Sequence, residues 1–145
     1  MKVELCFDPD WLVTQEAFRL YSACMYNPTY DNYKERMIRS LSDLSVKIYV
    51  CEENNKRIGM MVIRVSDGIA EIIGLAVSEN FRNKGIGRYL VTEVVRSEAL
   101  SILVAQTDED SIGFYRKCGF ESTRREIAFP DGLAVRYDCI LNGTN

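Results

Sequence analysis

The chain has no histidine. That removes every Ser-His and Cys-His mechanism, and with them the commonest general base. Any catalysis must use carboxylates, tyrosine, a thiol, lysine, water or the backbone. Cysteine is present but unhelpful to a framework: Cys6, Cys24, Cys51, Cys118 and Cys139 are odd in number, far apart and include no C-x-x-C pair. Reduced thiols are expected, with neither a disulfide scaffold nor a metal site. No run approaches the roughly 18 apolar residues of a spanning helix. Met1-Lys2-Val3-Glu4 does not open a basic-then-apolar leader, so a cytoplasmic protein without membrane attachment is the expectation. An excess of basic charge is missing too. The net charge is −3 and the cations are scattered, which argues against a nucleic-acid surface but leaves room for a local phosphate site. Repeats, linkers and low-complexity segments are absent, so one domain over residues 1–145 is expected.

What is present centres on Ile69–Leu100. An apolar run, Ile69–Val77, leads through a polar connection to Arg82-Asn83-Lys84-Gly85-Ile86-Gly87. Ile86, Leu90 and Val94 then recur at i, i+4 and i+8. The pattern predicts strand, basic glycine loop and helix. A helix that starts in such a loop leaves unpaired backbone N–H groups at its positive end, which favours an anion such as phosphate.

The rest of the chain supplies the frame. Lys2–Phe7 predicts a strand. Asp8-Pro9 opens a helix that runs to about Tyr26, where Asn27-Pro28 breaks it. A second helix over about Tyr30–Ser42 carries Tyr33, Met37 and Leu41 on one stripe. Ser45–Glu52 alternates as a half-buried strand. Arg57–Ser66 is apolar on both faces through Met60–Ile63, and the Asp67-Gly68 turn joins it to Ile69–Val77. Ser101–Gln106 reads as a buried strand that completes a strand–helix–strand crossover. A short helix, about Asp110–Cys118, ends at Gly119. Phe120–Ala128 and Leu133–Leu141 are final strands joined at Pro130-Asp131-Gly132, and Asn142–Asn145 is expected to fray.

This order, β-α-α-β-β-β-α-β-α-β-β, resembles the GNAT superfamily of acyl-CoA N-acyltransferases. Leu75-Ala76-Val77 followed by Arg82–Gly87 is similar to that family's strand and R/Q-x-x-G-x-G/A signature. Ser111-Ile112-Gly113-Phe114-Tyr115-Arg116-Lys117-Cys118-Gly119-Phe120 is similar to its second motif, a short helix with a tyrosine running into Gly-Phe. The resemblance implies an α/β (α+β) fold with a mixed, mostly antiparallel sheet of about seven strands and four helices. It also implies acetyl-CoA as acyl donor, an amine acceptor, and no metal. In some members the final strands pair with another subunit, which makes a homodimer one expectation.

The same residues carry the chemistry. Gly85 and Gly87 lack a Cβ and let the backbone approach a pyrophosphate; Arg82 and Lys84 add charge, and Asn83 and Ile86 complete the loop. The resemblance assigns the main chain of Leu75, Ala76 and Val77 to the pantetheine arm, which adds to a strand edge, with a backbone N–H as oxyanion donor. Tyr115 matches the tyrosine near the cofactor sulfur that can donate a proton. Asp108 stands where the family often has an asparagine on the cofactor, and it lacks the amide donor. Glu71 is the candidate base: alternation puts it on one face with Ile73, Leu75 and Val77, and burial would make it a stronger base. It could instead pair with Arg64. The resemblance also places Trp11, Phe18, Tyr21, Tyr26, Tyr30 and Tyr33 where family members form the acceptor-site wall, with most of them expected in the core and one or two facing substrate. Cys118, at a helix C-terminus, reads as packing.

Two other readings compete. A non-catalytic acyl-CoA-binding module would keep the cleft and lose turnover; Asp108 is the residue that points that way. A dinucleotide-binding oxidoreductase could use Gly85-Ile86-Gly87 with Asp108, but Leu90 stands where a third glycine belongs and three antiparallel strands precede the motif.

Overall fold

Why the first helix does not run to Tyr26 is visible at Thr14. In the computed structural model, which describes residues 1–143, Asp8 caps a four-residue helix α1 (Pro9–Leu12) by accepting from the Trp11 N–H. Thr14 then caps α2 (Gln15–Tyr21) by accepting from the Ala17 N–H at 3.2 Å. A second cap inside one apolar period ends the first helix and restarts the chain in a new direction. A 3₁₀ turn, Ser22–Cys24, follows, and α3 (Tyr30–Leu41) begins at Thr29, whose hydroxyl accepts from Asn32 N–H. The expected four helices are therefore five, with α4 (Ile86–Ser97) and α5 (Ile112–Lys117) further along the chain.

The strands are β1 (Lys2–Leu5), β2 (Val46–Glu53), β3 (Lys56–Ser66), β4 (Ile69–Val77), β5 (Ile102–Thr107), β6 (Glu121–Phe129) and β7 (Gly132–Asn142). They form one sheet in the order β1-β2-β3-β4-β5-β7-β6, antiparallel except for β4 with β5. Left-handed Asn54-Asn55 and Asp67-Gly68 pairs make the two tight turns that hold β2, β3 and β4 in sequence. The tail is more ordered than expected at its start: Asn142 pairs with Ile102, and the Gly143 N–H donates to Ser101 at 2.8 Å. Thr144 and Asn145 lie outside the described residues.

Each face of the sheet buries its own core. On one side, Leu90, Val91 and Val94 of α4 pack against Tyr49, Met61, Ile63 and Leu103. On the other, Leu12, Ala17, Tyr21, Tyr33 and Met37 of α1–α3 pack against Ile48, Val50, Met60 and Val62. Met60–Ile63 thus feeds both cores, as its unbroken apolar run requires.

One irregularity changes what β4 presents. Val62 faces Gly74, but Ile63 faces Ile72, so Ile73 is an extra residue on β4. A bulge of this kind reverses the side-chain alternation beyond it. Leu75 and Val77 stay on the α4 side, opposite Met61 and Gly59, whereas Glu71, opposite Arg64, turns to the α2–α3 side. Glu71 therefore does not share a face with Leu75 and Val77 as simple alternation requires.

Just past the bulge, Gly74 lies beneath the Tyr21 ring. A Cβ there would stand 1.9 Å from Tyr21 Oη. The Tyr21 side chain is fully buried and cannot move away without vacating its core. Gly74→Ala is expected to destabilise the protein by roughly 1–3 kcal/mol through overpacking. The check is the thermal unfolding midpoint, which should fall by several degrees; an unchanged midpoint would remove this close approach from the account of the fold.

Candidate active site

The site follows from an incomplete strand pair. β4 and β5 are in register at only three positions, Ile69 to Glu71 against Ile102 to Val104. Beyond Glu71 the strands part. The Ser78 N–H donates back to Ile58 of β3 at 2.8 Å, so alternation turns the Leu75 and Val77 amides away from β3, toward the gap. Part of that edge is already occupied, since Arg82 Nε donates to the Val77 carbonyl at 3.0 Å.

The gap opens into a cleft of about 710 Å³ between the start of α4 and α5. Gly85 is the cap residue of α4 and adopts φ +80°, a left-handed conformation that costs glycine little. It offers no side-chain cap, and the first turn of α4 holds no acidic residue. Backbone N–H groups are thereby left facing the cleft at the positive end of a twelve-residue helix. The two glycines do different work. Space beside Gly85 is open, whereas a Cβ on Gly87 would meet the Phe114 ring at 2.7 Å. Gly85 shapes the loop and leaves open space beside it; Gly87 lets α5 close against α4.

Arg82, Asn83, Gly85, Ile86, Gly87, Leu75, Val77 and Tyr115 all line the cleft. Four other expected residues do not. Ala76 is buried. Lys84 lies outside, with Nζ 5.6 Å from the centre of the Phe81 ring. Asp108 spends its carboxylate on the chain, Oδ1 accepting from the Ser111 N–H at 3.0 Å. Glu71 sits at the fork itself, its carboxylate 3.9 Å from the Arg64 guanidinium and about half exposed. The burial expected of a strong base is not met there, because β5 leaves β4 at this residue and opens its edge to water.

Among the cleft residues that the sequence pattern does not mark as site residues are Arg88, Lys117 and Phe114. Helical spacing could have found the cations, since Arg88 lies three residues after Gly85 and Lys117 four after Gly113. With Arg82 they give the cleft three positive side chains and no carboxylate, in a chain of net charge −3.

Tyr115 is fixed from both sides, edge-on to Phe114 at 5.1 Å and to Phe120 at 5.2 Å between ring centres. It is almost wholly buried. Burial, with smaller contributions from neighbouring thiols and Asp108, holds its phenol well above the ordinary value, so it stays protonated. Cys118 is half-buried at the cleft wall and its thiol is likewise pushed up by burial, in keeping with packing rather than nucleophilic chemistry. Of the expected aromatic wall, Tyr21 and Tyr33 are entirely in the core, whereas Tyr26 is 95% exposed. Among the described residues, no three His, Cys, Asp or Glu side chains are placed to hold a metal ion, and no helix is long and apolar enough to cross a membrane.

A family model described as the acetyltransferase (GNAT) family matches residues 14–120. The chain belongs to the GNAT acetyltransferase family. The match takes in the unpaired β4 edge, the α4 loop and α5, so the cleft of this acetyltransferase lies within the family's common core. Solved structures agree on the fold. A GNAT acetyltransferase from Elizabethkingia anophelis, with acetyl-CoA bound, is 23% identical with a TM-score of 0.68, covering 97% of both chains. The ribosomal-protein-S18-alanine N-acetyltransferase of Escherichia coli is 15% identical, with a TM-score of 0.74 over 99% of this chain and 94% of its own. A Bacillus subtilis acetyltransferase in complex with CoA is 17% identical, with a TM-score of 0.68 over 97% of both.

If the cleft is an anion site, inorganic pyrophosphate should bind and weaken as salt rises. Arg88→Ala and Lys117→Ala should each cost about 1.5 kcal/mol, roughly tenfold in affinity, because each removes one charge-assisted hydrogen bond to the anion. Calorimetry would measure this; equal affinity in wild type and both variants would move the anion elsewhere.

Proposed function

We propose that the protein is an N-acetyltransferase that moves an acetyl group from acetyl-CoA to a primary amine of a small molecule or peptide, by direct attack in a ternary complex. The observation that carries this reading is the cleft: an uncapped helix start and three cations beside a strand edge with free amide groups. A pyrophosphate fits the first and a chain of amides the second. Acetyl-CoA and CoA in the two bacterial structures named above support the same donor.

The Leu75 N–H is the candidate donor to the thioester oxygen as it gains charge. The amine nitrogen forms a bond to the carbonyl carbon and the carbon–sulfur bond breaks. Tyr115 gives its proton to the departing thiolate and is reprotonated through solvent, to which the newly bonded nitrogen loses its second proton as the amide forms. Glu71 takes the proton of the ammonium through water. That last step has the most to gain, since an alkyl amine of pKa about 10.4 is on the order of 10⁻³ neutral at pH 7, some 4–5 kcal/mol from its reactive form. Glu71 faces the α2–α3 side of the sheet, away from the cation-lined cleft, so donor and acceptor approach the fork from opposite faces.

Thiol release from acetyl-CoA against a panel of amines tests this directly. Release with at least one amine supports the reading; tight binding with no release on any acceptor would favour a binding module. Two variants divide the roles. Tyr115→Phe should lower kcat about 10- to 100-fold with CoA affinity nearly unchanged. Because burial raises the Tyr115 pKa, its protonated form persists as pH rises, so the wild-type rate should climb with pH through about 9 with no alkaline fall. Glu71→Gln should shift that climb upward toward the pKa of the free amine, about 10.4; an unshifted profile would reject Glu71 as base.

A further inference from the structure

β3 begins and β4 ends at the same end of the sheet: Gly59 faces Val77, and the Ser78 N–H donates to the Ile58 carbonyl. The 3₁₀ turn Glu79–Phe81 follows there, beside Lys56 and Arg57, and α2 packs against both strands. A second cavity, of about 450 Å³, lies between these elements. Val77 and Arg82 line it and the cleft alike. Its charged lining is four cations, Arg19, Lys56, Arg57 and Arg82, against two carboxylates, Glu16 and Glu79. One part of this wall is built in place. Asp8 accepts from Arg57 Nη1 at 3.3 Å, the Trp11 ring lies 4.6 Å from the same guanidinium, and the Trp11 indole N–H donates to Glu16 at 2.9 Å. A guanidinium has five N–H donors, so one bond to Asp8 fixes Arg57 and leaves donors for a ligand. Among the described residues, Arg19, Lys56, Arg82 and Glu79 are in no ion pair.

We propose that this cavity binds a small organic anion, one with at least two negative charges and a hydroxyl group, and that the anion draws on Arg82 at the expense of the cleft. The second half of the proposal rests on the acetyl-CoA reading above. Two positive charges in excess, gathered in a concavity of an acidic chain, concentrate anions locally. The fixed Arg57 fork matches the paired oxygens of a carboxylate or a phosphate, and Arg19 and Lys56 supply further charge. Glu79 is an acceptor for the hydroxyl. The volume is that of a metabolite site. Arg82 makes the two sites depend on each other. Its Nε is tied to the Val77 carbonyl at 3.0 Å, on the wall that both cavities share. An anion on one side attracts the charge that the other side uses. By linkage the loss is mutual, and each ligand weakens the other by the same factor.

Calorimetry on the intact protein at constant ionic strength tests this, with citrate and glycerol 3-phosphate as probes for a carboxylate and a phosphate ligand. In protein saturated with CoA the cleft is filled, so a probe that still binds sits outside it. At least one probe should bind there. Arg19→Ala and Lys56→Ala should each weaken it about fivefold, because each removes one exposed charge partner, and should leave CoA affinity in the absence of probe unchanged. Saturating probe should weaken CoA roughly fivefold, CoA should weaken the probe equally, and Arg82→Ala should bring this factor close to one. Loss of all probe binding in the CoA-saturated protein, or binding that neither Arg19→Ala nor Lys56→Ala weakens, would overturn the proposal and leave the donor reading intact. A mutual factor that Arg82→Ala does not change would overturn the role of the shared arginine. If CoA itself does not bind, the donor reading fails, and the same two variants titrated with the probes in CoA-free protein decide the cavity on its own.

Discussion

The parting of β4 from β5 after three paired residues is the constraint on which the site depends. Backbone N–H and C=O groups inside a protein are almost always paired, so a sheet that opens at its centre must satisfy its edges in some other way. Here one solution is local and visible. Arg82 takes the Val77 carbonyl. A surface arginine is a replaceable partner, one that an incoming amide can displace.

Charge is distributed to match. The chain is acidic as a whole, yet Arg82, Arg88 and Lys117 meet in the cleft with no carboxylate among them. The acidic residues nearest the fork are engaged elsewhere: Asp108 caps its own turn, and Glu71 stands beside Arg64 on the far face. Composition alone hides a local field of the opposite sign, because net charge sums over surfaces that never face the same ligand.

Most of the frame was legible. β4 matches the apolar run Ile69–Val77 residue for residue, the Asp67-Gly68 turn is as expected, and the order of elements and the seven strands follow from periodicity and punctuation. Two misses share one cause. A break at Thr14 and a bulge at Ile73 each insert an offset that apolar spacing cannot register, since the residues on both sides remain apolar at plausible intervals. Thr14 was readable in principle as a cap; Ile73 was not, because nothing about an isoleucine marks it as unpaired. The bulge mattered more, for it put Glu71 on the opposite face.

The short β4–β5 seam has a mechanical meaning as well. β5 is joined to β7 over six register positions but to β4 over three. The sheet is thus two stiff panels, β1–β4 and β5–β7, sewn together along one end of one edge. Anything lying in the cleft touches α4 on the first panel and α5 on the second. A bound ligand is then a second line of stitching, and the panels it joins carry the Leu75 amide and the Tyr115 phenol, the two groups to which the proposed reaction gives the oxyanion and the leaving thiolate.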